Sequence, residues 1–405
     1  MKILTLNCGS SSAKYMVYDW AKTKELCRGI VERVGIGNSF IKHSLASGNT
    51  ITIEKDCPTH HEAIELIINT ITHKDYGVVK DLFEINGVGH RVVHGGEYFK
   101  EAVLITDDTI KKFEELSDLA PLHNPPNVAG IKAARKLFPN VPHVAVLDTA
   151  FLQTLPDYAY LYAVPYEWYE KYKIRKYGFH GTSHYYVTKR ASQLLNKKME
   201  EVNLITCHIG NGVSLTAVKN GNPVEHSMGF TPLEGLIMGT RSGDIDPAII
   251  QYIMRKENLT INEIINILNK KSGILGITGK YIDRRDILKA MDEGDYRAEL
   301  AFKMECHRLK KYIGAYIAVL GKVDAIVFTA GVGERSWRHR EKVLEGLEPL
   351  GIKIAKAKNK ESTGDKEMLI SSKDSKIKVF VIPTNEEIVF VEEVMKKLDV
   401  QLNLR

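Results

Sequence analysis

"ILTLNCGSSSAKYMVYD", Ile3 to Asp19, decides how the rest of the chain is read. An apolar run ends at Asn7, Cys8 and Gly9, three serines follow, and Lys14 leads into a second apolar run. Two such runs around a Gly/Ser cluster read as a hairpin, Ile3–Leu6 against Tyr15–Tyr18. Backbone N–H groups and hydroxyls crowded at the turn make a donor cluster that suits phosphate oxygens. Lys14 adds a point charge, and the Asn7 amide suits a magnesium ion or its water. The spacing is not that of a Walker loop, which needs GxxxxGK[ST]. A tight turn with no ligand is the plainer reading of the same residues.

The same grammar returns further along. "NLITCHIGNGVSLTAVKNG" (Asn203–Gly221) is again strand, Gly/Asn/Ser turn, strand. "INGVGHRVVHGG" (Ile85–Gly96) and "VDAIVFTAGVGER" (Val323–Arg335) are each a strand opening into glycines. Helical patterns lie between, at Ala129–Leu137 and Arg297–Leu320, and the polar stretch Lys356–Lys376 reads as surface loop. The repeated order predicts two related α/β domains, each offering a polar hairpin turn toward a common cleft.

A chain of 405 residues is long for one core, which agrees with two domains. With 44% hydrophobic and 26% charged residues it has the profile of a soluble globular protein. Its net charge of +6 is spread rather than clustered, which excludes a nucleic-acid groove and suits small anionic substrates. Five cysteines (Cys8, Cys27, Cys57, Cys207, Cys306) form no CxxC pair, which favours a reducing, cytoplasmic setting. The most apolar stretch, Tyr312–Phe328, is broken by Lys322 and Asp324, so no membrane span is expected.

Arg91 ends a strand in "GHRVVHGG", and Arg241 sits in the Gly-rich "MGTRSGDIDP". Two arginines in such surroundings point to forked recognition of carboxylate or phosphate. Asp148, at the end of the strand in "VPHVAVLDTAF", is placed to position a metal or to cap a helix. In "HIGNG", Asn211-Gly212 is either a ligand-approaching turn or a plain type I′ hairpin. His180 and His184 have the i,i+4 spacing of a zinc helix, but the glutamate of HExxH is missing, so they read as structural, as do His90, His94 and His123.

Together, "LNCGSSSAK", "HRVVHGG", "LAPLHNPPN", "DTAF", "YGFHGTSHYYV", "HIGNGVSLTAV", "SMGFTPLEGLIMGTRSGDIDP" and "VIPTNEE" make the chain resemble the acetokinase family of the actin-like ATPase superfamily. The resemblance runs from the first strand to the last. It implies duplicated RNase H-like domains with a cleft between them: residues 1–150 plus 384–405 on the acetate and magnesium side, and 151–383 on the nucleotide side. It implies magnesium-dependent, reversible phosphoryl transfer from ATP to acetate, giving acetyl phosphate and ADP, with manganese as a second possible ion and a homodimer as the assembly. Arg91, Asp148, His180 and Arg241 take the catalytic positions, Asn7 and Glu386 the metal site, and Lys14 the nucleotide phosphates. His208, Ile209, Gly210, Asn211, Gly212, Asp283, Arg284, Arg285, Gly331, Val332, Gly333, Glu334 and Arg335 fall on the nucleotide site. Val93, Leu122, Phe179 and Pro232 fall on the pocket for the substrate methyl group, beside Arg91. Propionate kinase is the near alternative, separated by pocket volume. A sugar kinase of the same fold needs a polar pocket and an Asp base, and an actin- or chaperone-like ATPase leaves the two arginines without a task. Arg335, Arg284 and Leu152 depart from the family's usual Asn, aromatic and His, and the first two put base preference in question.

Overall fold

The computed structural model describes residues 1–121 and 123–403. The chain divides into two compact units, Met1–Ala150 with the segment from Asn385 onward, and Phe151–Thr384.

The first unit is built on an eight-stranded sheet. In chain order its strands are β1 (Lys2–Cys8), β2 (Ser12–Asp19), β3 (Lys24–Glu32), β4 (Phe40–Leu45), β5 (Thr50–Glu54), β6 (Ile85–Val92), β7 (Val103–Leu104) and β8 (His143–Leu147). Their spatial order is β5-β4-β3-β2-β1-β6-β8-β7. The second unit carries a six-stranded sheet of β9 (Leu204–Ile209), β10 (Val213–Lys219), β11 (Asn222–His226), β12 (Ala325–Thr329), β13 (Met368–Leu369) and β14 (Lys378–Val381), ordered β11-β10-β9-β12-β14-β13.

The duplication is visible in strand order and direction. In both units a first strand pairs antiparallel with a second and the second with a third, while the first also runs parallel to a fourth, and the fourth to a fifth. The parallel pairs are reached by helical crossovers, as such connections require.

Period-two alternation in β1 explains how the first sheet is covered on both faces. Leu4 and Leu6 pack with Ile64 and Ile67 of the helix His60–Ile71 and Ala134 of the helix Asn124–Leu137. Ile3 turns the other way, to Val144, Val391 and Val394, the last two on the terminal helix Glu386–Asn403. That helix sits close because β6 has glycine beneath it: a Cβ on Gly87 would lie 2.6 Å from a Val394 methyl.

The polar stretch 356–376 is more than surface loop. It contains the short helix Lys356–Glu361 and β13, and its Asn359 is fully buried. The reason is Arg340, itself fully buried, which donates to Asn359 Oδ1 and to the carbonyls of Gly333, Glu334, Asn359 and Ser362. A buried guanidinium needs acceptors, and this stretch supplies them. All five cysteines are free and buried, and no described helix is long and apolar enough to cross a membrane.

Candidate active site

In the first unit the hairpin β1–β2 turns through Gly9, Ser10 and Ser11, closed by the Gly9 N–H on the Ser12 carbonyl at 2.8 Å. Asn7 and Lys14 are cross-strand partners at its end, so their side chains share a face. Ser10 and Lys14 are exposed. β6 delivers Arg91 and β8 delivers Asp148 just beyond its end. Arg91 Nε donates to Asp148 Oδ1 at 3.1 Å, Nη2 donates to Oδ2, and Nη1 reaches Asn7 Oδ1 at 3.4 Å. Burial works against the Arg91 charge, but the Asp148 carboxylate outweighs it and raises the guanidinium's pKa. Glu386, the first residue of the terminal helix, has its carboxyl pushed up to about 7 by burial and by the Asp148 charge, against the pull of Arg91.

The turn after Arg91 is held by asparagines that the sequence reading quoted without giving them a task. Val93 N–H donates to Asn127 Oδ1 at 3.0 Å, and Asn127 Nδ2 donates to the Cys8 carbonyl at 2.6 Å. His94 and Asn124 exchange a similar pair. The "HNPPN" motif therefore ties the Arg91 loop to the first hairpin.

In the second unit Arg241 lies on the segment 227–244. Arg241 Nη1 donates to the Pro232 carbonyl at 2.7 Å, and among the described residues of this unit no carboxylate pairs with it. Burial lowers its pKa. The segment is pinned by Tyr162, whose hydroxyl donates to Glu234 and accepts from Phe230 N–H, and by Gly235 N–H on Asp244 Oδ1 at 2.8 Å. Gly235 has φ of +104°, and a Cβ there would lie 2.3 Å from the Ser227 carbonyl, so only glycine fits.

His180 stands in left-handed backbone (φ 59°) at the start of the helix Gly181–Leu194. Its ring stacks on His208 with centroids 4.1 Å apart, and its Nδ1 lies 2.9 Å from Ser214 Oγ. The same hydroxyl lies 2.8 Å from His184 Nε2, so it bridges the two rings. His226 Nε2 accepts the Phe179 N–H at 3.1 Å, which leaves its Nδ1–H for Thr216 Oγ1 at 2.8 Å. Burial first, then neighbouring histidines, holds the pKa of His180 and His184 well below the usual 6.5, while at His226 Lys176 is the second cause. These rings are neutral at pH 7. A Cβ on Gly212 would lie 3.0 Å from Arg241 Nη2 and 3.1 Å from His180 Cε1, so the hairpin turn, Arg241 and His180 converge. The turn is closed by Gly210 N–H on the Gly212 carbonyl, and neither Asn211 nor Gly212 has positive φ, which rules out the type I′ hairpin.

A cavity of about 660 Å³ opens beside this turn. Gly210, Asn211, Asp283, Arg284, Arg285, Gly331, Val332, Glu334 and Arg335 line it, joined by Ile282, Leu288, Ser336, Trp337 and Arg338, which the sequence reading missed. The missed residues each adjoin a predicted segment by a few positions, and the apolar Ile282, Leu288 and Trp337 among them suit a base site. His208 and Ile209 are instead buried in β9, and Gly333 packs against Ile209. Arg335 is exposed, whereas Arg284 is buried and turned to Glu305. Phe179 is buried and Pro232 half-buried in the second unit, Val93 is buried in the first, and Leu122 lies outside the described residues.

Among the described residues no group of three His, Cys, Asp or Glu side chains is placed to hold a metal. Asn7, Asp148 and Glu386 nevertheless fit magnesium, which takes one or two carboxylates and completes its shell with water and phosphate. Burial and the Asp148 charge raise the Glu386 carboxyl despite Arg91, and a divalent cation there would favour its ionised form.

Known proteins bear on this geometry at full length. A protein from Geobacter sulfurreducens named acetate kinase is 58% identical over 98% of this chain and 95% of its own. Its namesake from Thermotoga maritima is 56% identical over 98% and 100%. The crystal structure of Porphyromonas gingivalis acetate kinase superposes with a TM-score of 0.94 at 46% identity, covering 98% of this chain and 99% of that one. A propionate kinase from Francisella tularensis follows at 0.91 and 40%, with the same coverage. The profile of the Acetokinase family matches residues 2–392, and the chain belongs to that family.

Proposed function

We propose that this chain is an acetate kinase, moving the γ-phosphoryl group of ATP to acetate and back by direct in-line attack. The observation that carries the reading is Arg241, a half-buried guanidinium with no carboxylate partner among the described residues of its unit, beside the neutral His180, in a chain whose full-length relatives bear that name.

A small carboxylic acid has a pKa of roughly 4–5, so the nucleophile is ionised at pH 7 and needs no base. The obstacle is repulsion between a carboxylate and a polyphosphate, and phosphoryl transfer is governed by positioning and charge. Asp148 is engaged with Arg91, so it orients the guanidinium rather than accepting a proton. Arg91 then holds the acetate carboxylate, and Arg241 meets the transferring phosphoryl oxygens. His180, uncharged, offers a hydrogen bond without adding a proton equilibrium. Lys14 and the serine turn take the nucleotide phosphates, and the cavity by Gly210–Asn211 takes the nucleoside. The methyl group is assigned to the apolar positions Val93, Phe179 and Pro232, and Leu122 of the same set lies outside the described residues. Asn7 and Glu386, with Asp148, would hold magnesium or manganese, which supplies charge neutralisation for the phosphates.

Propionate kinase is the second reading, favoured by the likeness to the Francisella protein. The rest of the proposal is a cytoplasmic homodimer; the exposed Tyr158, Tyr166, Trp168 and Tyr172 support the second copy. Incubation with ATP, magnesium, hydroxylamine and either acid tests the activity. Acetyl hydroxamate in excess over propionyl hydroxamate is expected, and neither product would overturn the proposal.

A further inference from the structure

Arg284 opens the helix Arg284–Asp292, which Asp283 caps through the Arg285 amide. Its guanidinium is 5% exposed and turned inward, with Nε and Nη2 both donating to Glu305 Oε1, at 3.3 and 2.8 Å. Glu305 lies on the helix Tyr296–Leu320 and is 1% exposed. Burial pushes its carboxyl up, but Arg284 and His339 outweigh that and bring it down to about 2. Its second oxygen faces His339 Nε2 at 3.4 Å, and His339 Nδ1 pairs with Ser336 Oγ at 2.7 Å. Arg284 and Ser336 both line the 660 Å³ cavity. Glu305 and His339 thus lie between two of its walls, with Glu305 Oε2 and His339 Nε2 close but not hydrogen-bonded.

The third nitrogen is unspent. Among the described residues nothing accepts from Arg284 Nη1. It lies beside Gly239, where an added Cβ would sit 3.2 Å from Nη1 and 2.0 Å from Asn211 Oδ1. Nη1 is not sealed off from solvent, so a ligand oxygen can take the place of water on this charged donor. The Asn211 amide of the hairpin turn is its neighbour there.

We propose that Arg284 Nη1 donates to an oxygen of the nucleotide's sugar–phosphate chain, with the guanidinium held for that contact by Glu305. The proposal rests on the nucleotide site assigned above, and makes Arg284 indifferent to the base. Arg284→Lys keeps a charge opposite Glu305 and removes Nη1; Arg284→Met with Glu305→Met removes the pair without stranding a buried charge.

Equilibrium binding of ADP, GDP and adenosine to the full chain is the test. Both variants should weaken ADP and GDP alike by about tenfold, the worth of one charge-assisted hydrogen bond. The thermal midpoint of Arg284→Lys should stay near that of the parent. An equal loss for adenosine assigns the contact to the ribose, and an unaltered adenosine affinity assigns it to phosphate. Unchanged ADP affinity in both variants would overturn the proposal, as would a shifted ADP-to-GDP ratio, which would put Nη1 on the base. No ADP binding by the parent chain would instead remove the nucleotide site, and this contact with it.

Discussion

In the first unit Arg91 gives Nε and Nη2 to Asp148, which is 1% exposed, while in the second Arg241 gives Nη1 to a carbonyl and meets no carboxylate among the described residues of that unit. Arg91 stands near the end of β6 and Arg241 in a glycine-rich loop, yet one has its charge neutralised at rest and the other does not. A partly buried cation without a partner is expensive, and a fold keeps one where an arriving anion will complete it. Arg91 is a fixed fork whose orientation Asp148 sets. Arg241 is the standing electrostatic attraction, and it has neutral histidines beside it, where a charged ring would repel it.

Removing the unneutralised charge should have the largest effect. Arg241→Ala is expected to lower kcat by about 10²–10⁴, the range for groups that stabilise transition-state charge. Turnover near that of the parent would take Arg241 out of the site. Asp148→Asn makes Arg91 resemble Arg241 by removing its counter-charge. Turnover should fall by about 10²–10³ as positioning is lost, with a higher KM for acetate or a higher magnesium requirement. A large kcat loss with both constants unchanged would mean that Asp148 acts as a base.

Smaller effects sharpen which side of the chemistry each arginine serves. Val93 follows Arg91 by two residues and is buried. Val93→Ala should raise the propionate-to-acetate ratio of kcat/KM about tenfold, the order expected for one or two methylenes of room. A constant ratio would separate Val93, and the Arg91 loop with it, from the methyl group.

Acid sensitivity compares the units as wholes. His90 and His143 in the first unit, and His184 and His226 in the second, are buried and neutral, as is the half-buried His180, with His143 lowered to about 4. Below the usual 6.5 the unfolded chain takes up protons that the folded chain refuses, so this stability is present above pH 6.5 and declines as pH falls. Each ring contributes up to about 1.4 kcal/mol per pH unit in that range. His184→Gln should therefore flatten the fall of the unfolding midpoint between pH 6.5 and 5, and an unaltered slope would show that ring to be protonated when folded.

The strand order and the two polar turns were legible in the sequence because apolar runs and Gly/Ser/Asn punctuation are local signals. So were Arg91, Arg241 and Asp148 as candidates, each at the end of a strand or in a glycine-rich loop. What local signals do not carry is pairing. Nothing in "IDRRD" announces that Arg284 turns inward to Glu305, on another helix, or that polar Asn359 is buried to serve Arg340. Likewise the neutral state of His180 depends first on its desolvation and then on His208, His184 and Arg241, which the fold alone gathers around it.

Thermal unfolding of Arg91→Ala and Arg241→Ala, without ligand, tests the contrast most directly. Loss of Arg91 strands the buried Asp148 carboxylate and should cost roughly 3 kcal/mol. Loss of Arg241 strands nothing, so that inactive variant should be as stable as the parent or more so, by up to about 1 kcal/mol. A loss of stability in Arg241→Ala equal to that in Arg91→Ala would show Arg241 to be neutralised in the folded chain and would contradict the account.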